Sequence, residues 1–215
     1  MNILRPFDGK LILLFAVLLA GCHSPKTATK STAELLAART NYSTRWWTPV
    51  STNGAPSWEI LPQAATPFTF HDQRYASLEG FWQMMKYPES GTDPRAMFPG
   101  LHWGYTRAEV AQLTAFDAKR AGDAAERNMK AMGITWVTFE GARMEYRAAG
   151  QSEFYNLIVA ATWQKVRQNP EVNRVLLATG DLILKPDHRQ ETNAPAAWRY
   201  YEILTQIRTA LQQKP

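Results

Sequence analysis

The chain has little from which to build disulfide or metal chemistry. It holds 1 Cys and 4 His in 215 residues. A lone cysteine excludes an internal disulfide framework and a cysteine-built zinc site, and the histidines are scattered without metal-ligand spacing, so no metal and no cofactor is implied. Long apolar runs are missing too. The longest, Leu11 to Ala20, falls short of the roughly 20 residues that a membrane-crossing helix needs. No sustained heptad pattern marks a coiled coil, and no oligomeric state is implied. Charge of one sign is not in large excess: 24 Lys and Arg against 19 Asp and Glu give +5, and setting aside Arg5, Lys10 and Asp8 of the first 22 residues leaves +4. Basic and aromatic residues do not cluster, which gives no independent case for nucleic-acid binding. What remains is ordinary globular material, 45% hydrophobic and 20% charged with 12 Gly and 13 Pro.

The opening 22 residues read as an address. A cationic start with Arg5 and Lys10 precedes the apolar run and then Gly21-Cys22, the build of an export signal. Leu19-Ala20-Gly21-Cys22 resembles a bacterial lipobox, which implies that Cys22 is lipidated on sulfur and begins the mature chain. A thioether would also remove the oxidation liability of a lone exported thiol. Each buried acyl methylene contributes about 0.8 kcal/mol, so several chains hold a protein to a membrane almost permanently. His23, where an aspartate would signal retention, implies a lipid anchor in the outer membrane facing the periplasm. Residues 23–44 are expected to be a Thr-, Ser-, Ala- and Lys-rich tether, and 45–215 a single folded domain, long enough to bury a core without disulfides.

Within that domain the spacing is mostly helical. Leu78, Phe81, Trp82 and Met85 fall at i, i+3, i+4 and i+7 behind Ser77, an N-cap residue, and predict a helix ending before Pro88. Thr106 and Glu109 form a capping-box pair ahead of Val110, Leu113 and Phe116, predicting a helix to about Arg120 that stops before Gly122; a short third helix fits Ala124 to Met132, closed by Gly133. Ile134–Phe139 and Ala142–Arg147 predict a hairpin about Glu140-Gly141. Helices follow from Ser152 to about Gln168 and from Pro170 through Ala178, a short strand at Leu182–Lys185, a polar loop at Pro186–Pro195, and a closing helix marked by Tyr200, Leu204, Ile207 and Leu211. The fold class expected is mainly α, with a small β-hairpin or sheet.

The helix after Ser77 has a second stripe. Glu79, Gln83 and Lys86, at i, i+4 and i+7, put an acid, an amide and a cation on one face, which spacing alone assigns more readily to a solvated side than to a site. Tyr75-Ala76-Ser77-Leu78-Glu79-Gly80-Phe81-Trp82-Gln83-Met84-Met85-Lys86 resembles the signature of the NADAR family, the YbiA-like proteins. Ala118-Lys119-Arg120-Ala121-Gly122, Phe154-Tyr155 through Val175-Leu176-Leu177-Ala178-Thr179-Gly180, and Ile203 to Arg208 resemble its further elements in the same order. The resemblance runs from about Ser57 to Leu211. It departs at the 185–195 loop, which lacks the family's Asp-x-x-Trp-Gly-x-Gly segment, and at Gly80, which stands where many members have histidine.

The resemblance implies a compact YbiA-like helical domain that hydrolyses a C–N glycosidic bond in a ribosylated, phosphate-bearing small molecule or an ADP-ribose conjugate. Glu79 would be the catalytic carboxyl beside the anomeric carbon. Gln83, Lys86, Lys119 and Arg120 are the substrate-binding candidates, the cations for phosphate oxygens. Trp58, Trp82 and Trp103 could stack on a base, although helically spaced tryptophans more often belong to a core. Asp187, His188 and Arg189 could supply a new polar wall where the family segment is missing, or form an exposed loop. Two other functions stay open: a non-catalytic nucleotide-binding or ADP-ribose-binding module, and a structural envelope lipoprotein.

Overall fold

The computed structural model describes residues 61–186 and 190–213; the segments expected to be a leader (1–22, with Cys22) and a tether (23–44), and Trp58, Asp187, His188 and Arg189, lie outside them. The first described element was not anticipated. Strands β1 (Phe68–Phe70) and β2 (Gln73–Tyr75) pair antiparallel, Phe68 opposite Tyr75, about a turn in which His71 and Asp72 both hold positive φ, 47° and 59°. Their inward rings, Phe68, Phe70 and Tyr75, are buried.

Helix α1 (Leu78–Met84) starts where the sequence places it, with the Ser77 hydroxyl accepting the Gly80 N–H at 2.8 Å. Its apolar residues pack into an aromatic cluster: the Phe81 ring meets Tyr75 edge-on at 4.8 Å and Phe139 at 5.5 Å. Such pairs add about 0.5–1.5 kcal/mol beyond the area they bury. A Cβ on Gly80 would stand 2.6 Å from the Leu113 carbonyl oxygen and 2.9 Å from that of Val110, so this close approach requires glycine.

Helix α2 (Arg107–Ala111) has the expected capping box, Thr106 with Glu109. It ends early, however. The chain breaks at Gln112–Thr114 and restarts as α3 (Ala115–Ala131), which runs unbroken through Gly122. Phe116 consequently lies on the exposed side rather than in an apolar stripe. Strands β3 (Trp136–Phe139) and β4 (Ala142–Glu145) form the anticipated hairpin, Trp136 opposite Glu145, with Glu140 and Gly141 at φ 49° and 77°. Helices α4 (Glu153–Gln168), α5 (Pro170–Ala178) and α6 (Tyr200–Gln212) follow, α6 preceded by a 3₁₀ turn (Ala196–Trp198). Leu182–Lys185 pairs with no strand. The described residues thus form a mainly α fold with two small two-stranded sheets.

α1 lies at the centre, packed against α2, α3 and α4. Two arginines, Arg95 fully buried and Arg107 partly so, fix its C-terminal end, whose last carbonyls have no partner within the helix. Arg95 donates to Met85 O at 2.9 Å and to Thr138 Oγ1, and clasps Asp93. Arg107 donates to Met84 O at 3.2 Å and Tyr87 O at 2.9 Å, and pairs with Glu89 at 3.0 Å. Burial pulls the Arg107 pKa down to about 10, against the opposing pull of Glu89, so it remains charged at neutral pH. Together they tie the end of α1 to the β3–β4 hairpin, with Lys86 between the carbonyls they hold. No helix among the described residues is long and apolar enough to cross a membrane.

Candidate functional site

Two polar stripes face each other across the α1–α3 contact. Glu79 and Gln83 on α1, with Lys86 in the turn just after it, meet Lys119, Asp123 and Glu126 on α3, both sets at i, i+4 and i+7. Glu79 and Gln83 are each 6% exposed and Lys86 2%, which rules out a solvated helix side. All six residues line one cleft of about 330 Å³. From the far side Tyr146 and Arg147, at the end of β4, together with Trp198 and Tyr200, complete it.

Glu79 is the buried acid of this cleft. Desolvation raises its pKa, and the Gln83 hydrogen bond with the charges of Lys86 and Lys119 only partly opposes that rise. Gln83 Nε2 donates to Glu79 Oε1 at 2.7 Å. The amide lies where a side chain on α3 would otherwise be: a Cβ on Gly122 would come within 1.9 Å of Gln83 Oε1. Gly122 is therefore the seat of Gln83 rather than a helix stop.

Lys86 Nζ pairs with Glu126 Oε2 at 3.1 Å and sits 4.7 Å from the centre of the Tyr146 ring. Burial works against its charge, but Tyr146 and Glu126 outweigh burial and its pKa is raised, so it stays an ammonium. Burial also acts on the Glu126 carboxyl, upward, and is overcome by Lys86 and Arg147, which hold it below the ordinary range. Lys119 is different in kind. Its side chain is 53% exposed at the rim, in an i,i+4 pair with Asp123, an arrangement worth little in water and easily exchanged for a ligand anion.

Arg120 does not belong to the cleft. Because α3 is continuous, one residue beyond Lys119 is about 100° further round the helix; the Arg120 side chain is 71% exposed and pairs with Asp117. Trp103 is also elsewhere, stacked edge-on with Tyr87 and donating to Arg95 O. Trp82 is both core and wall: it meets Phe154 edge-on and lines the cleft. The tryptophan that sequence reasoning missed is Trp198. It closes the late loop, its carbonyl accepting from Gln190 Nε2 at 2.7 Å, and the Arg147 guanidinium lies 4.5 Å over its ring.

Buried polar atoms are normally hydrogen-bonded. Among the described residues, four of the seven buried side-chain atoms without a protein partner belong to cleft residues: Gln63 Oε1, Trp82 Nε1, Gln83 Oε1 and Trp198 Nε1. Two donors and two acceptors in one cleft, beside a protonatable carboxyl and a buried ammonium, suit a small polar molecule carrying both donors and acceptors. No group of three or more His, Cys, Asp or Glu gathers as a metal site among the described residues. Comparison of the chain with protein-family models, curated proteins and solved structures finds no match.

The Gly122 seat gives a first prediction. Alanine there gains helix propensity but meets Gln83 Oε1, Cδ and Cγ at 1.9, 2.2 and 2.8 Å, so the buried Gln83 side chain must swing away and a net cost of about 1 kcal/mol or more is expected. Gln83 must also leave Glu79, so any activity that uses Glu79 as its acid is expected to fall about tenfold. Thermal unfolding and kcat on the same preparation check it; a fully active Gly122→Ala contradicts it.

Proposed function

We propose that the cleft hydrolyses a C–N glycosidic bond in a ribosylated, phosphate-bearing small molecule or ADP-ribose conjugate, within a NADAR-like (YbiA-like) domain carried on a lipoprotein anchored through Cys22. The observation that carries the reading is the buried Glu79 carboxyl, its pKa raised by desolvation, on the floor of a cation-bearing cleft beside Lys86. A carboxyl whose hold on its proton is strengthened by burial is suited to give that proton to a departing nitrogen. As the C1′–N bond breaks, its electron pair passes to nitrogen with the Glu79 proton. The carboxylate left behind faces the oxocarbenium-like carbon. Water then adds to C1′ and returns its second proton to Glu79. Lys86, locked between Glu126 and Tyr146, acts as fixed positive floor, whereas exposed Lys119 is placed to trade Asp123 for a phosphate oxygen. Trp198, standing just ahead of α6, offers the flat indole that the 185–195 loop lacks.

The test is release of free base from NAD, ADP-ribose conjugates and pyrimidine ribotides by the full chain in detergent, followed by chromatography. Release from one of these supports the reading. Micromolar binding with no release over hours would instead leave a binding module, and neither binding nor release a structural envelope lipoprotein.

Lys86 gives a second prediction, in pH. Its ammonium lowers the Glu79 pKa. In Lys86→Met the carboxyl loses that pull, so the alkaline limb of kcat, where Glu79 gives up its proton, is expected to move to higher pH. A limb that stays put, or moves to lower pH, removes Glu79 as the titrating acid.

A further inference from the structure

Of the six large apolar side chains exposed among the described residues, three belong to one loop between α1 and α2: Met97 at 63%, Phe98 at 39% and Tyr105 at 42%. Single exposed apolar residues are ordinary, whereas a group of them in one short segment marks a contact surface. The exposure is built into the fold. The Ala96 and Met97 amides donate to Asp93 O at 2.9 and 3.3 Å, Trp103 Nε1 to Arg95 O at 3.0 Å, and Asn128 Nδ2 on α3 to His102 O at 2.9 Å. Trp103 also packs edge-on against buried Tyr87 at 5.2 Å. Gly100, at φ 78° with open space around it, turns the chain at the tip. A loop braced in this way holds Met97, Phe98 and Tyr105 outward in fixed positions.

Charge points to the occupant. Residues 96–106 contain no Asp or Glu. The acids around the loop are engaged: Asp93 by Arg95, Glu89 by Arg107, and Glu109 by the Thr106 amide at 2.7 Å. Arg127 and Arg143, by contrast, are exposed and have no carboxylate partner among the described residues. Arg127 lies close enough to the Tyr87 hydroxyl to oppose the burial that lifts its pKa to about 12, and Tyr105 acts on the same hydroxyl. Arg143 stands 4.1 Å from the centre of the Trp136 ring, which Arg95, at the base of the loop, approaches at 4.9 Å. Aromatic and apolar side chains flanked by arginine suit the headgroup level of an anionic bilayer. A stable protein interface needs roughly 1,000 Å², and three part-exposed side chains offer only on the order of a few hundred. A tethered domain does not need more. Residues 23–60 separate Cys22 from Leu61, so a lipid on Cys22 makes contact with the bilayer intramolecular and raises its effective concentration.

We infer that residues 96–105 form a second contact with the membrane: Met97, Phe98 and Tyr105 enter the interface of an anionic phospholipid bilayer, and Arg127 and Arg143 take lipid phosphates. The contact goes beyond the glycosidase reading and shares no residue with the Glu79 cleft. It rests on the Cys22 anchor only for the choice of a bilayer as the surface.

Hydrogen–deuterium exchange of the full chain tests it, in detergent, in phosphatidylcholine vesicles and in vesicles of phosphatidylethanolamine with phosphatidylglycerol. Exchange of the 97–105 amides is expected to slow about threefold or more in the anionic vesicles relative to the other two, with the β1–β2 hairpin unchanged. Met97→Ser/Phe98→Ser, on exposed side chains, should abolish the slowing, and Arg127→Gln/Arg143→Gln should reduce it to the level of the neutral vesicles. Unchanged exchange elsewhere in each variant shows that it is folded. Equal loop exchange in all three media, or variants that behave as wild type, overturns the contact. Slowing already present in detergent that grows with protein concentration assigns the loop to a second copy of the chain and overturns it too. Intact mass reads Cys22 separately: a chain without diacylglycerol there loses the anchor and the proposal with it, whereas a lipidated chain with an unprotected loop loses the loop contact alone.

Discussion

Glu79→Gln is expected to cut turnover about 10²–10⁴-fold, the usual contribution of a positioned acid–base group, while making the protein more stable. Both effects come from one buried carboxyl. Glutamine keeps the shape and can accept the Gln83 amide, but it has no proton to give to the leaving nitrogen. The stability effect has a definite sign. Unfolded, Glu79 titrates in the ordinary carboxyl range; folded, burial holds its pKa higher. Between those two values the native state binds more protons, so wild-type stability is complete below the ordinary range and is lost as pH rises to the raised value, at about 1.4 kcal/mol per pH unit for one group. The variant has no such dependence. Its Tm advantage should be absent near pH 4, grow with pH, and then level off. Thermal scans from pH 4 to 9 on both proteins measure it. Equal turnover would end the catalytic role, and parallel Tm curves would end the claim that burial governs the acid.

Arg95→Met is expected to be the most destabilising single change, costing about 3–5 kcal/mol, the usual consequence of breaking a buried ion pair. At about 2–4 °C per kcal/mol for a domain of this size, Tm falls by roughly 10 °C. The guanidinium is fully buried, donates to both Asp93 oxygens at 3.0 and 2.7 Å, and lies 4.9 Å from the centre of the Trp136 ring. Burial alone would raise the Asp93 pKa, but Arg95 and the Glu89 and Arg95 amides hold it below the ordinary range. Without the arginine that carboxylate is stranded. The double variant Arg95→Met/Asp93→Asn should therefore recover much of the loss. Failure to recover would place the cost in the carbonyls of α1 instead, since Met85 O and Thr138 lose the same donor.

What the sequence made legible follows from which signals are local. Ser77 with its apolar stripe, the Thr106–Glu109 box, the Glu140-Gly141 turn and Asn169-Pro170 each act within a few residues, and the corresponding elements form where they point. The β1–β2 hairpin stayed hidden because its strands are three residues long and its turn puts positive φ on His71 and Asp72 without a glycine to mark it. Gly122 misled for the opposite reason. Read locally it is a helix stop; its real cause is the Gln83 side chain, from a helix some forty residues earlier. Breaking the helix there also hid the Lys119, Asp123 and Glu126 stripe, whose spacing repeats that of Glu79, Gln83 and Lys86. Hence local reading passes over Glu126 and points to Arg120, which lies outside the cleft, paired with Asp117. Trp198, Tyr146 and Arg147 carry no spacing signal, because they reach the cleft only through tertiary packing.

The cleft draws its walls from Gln63 near the start of the described chain to Tyr200 at the head of the last helix. A growing polypeptide therefore carries Glu79 well before it owns the guanidinium of Arg147 and the indole of Trp198 that line the same cleft. Tyr200 is the last wall residue in chain order, so the enclosure of Glu79 is complete only once the final helix is in place. A copy clipped before Tyr200 would leave the proposed site without one of its walls.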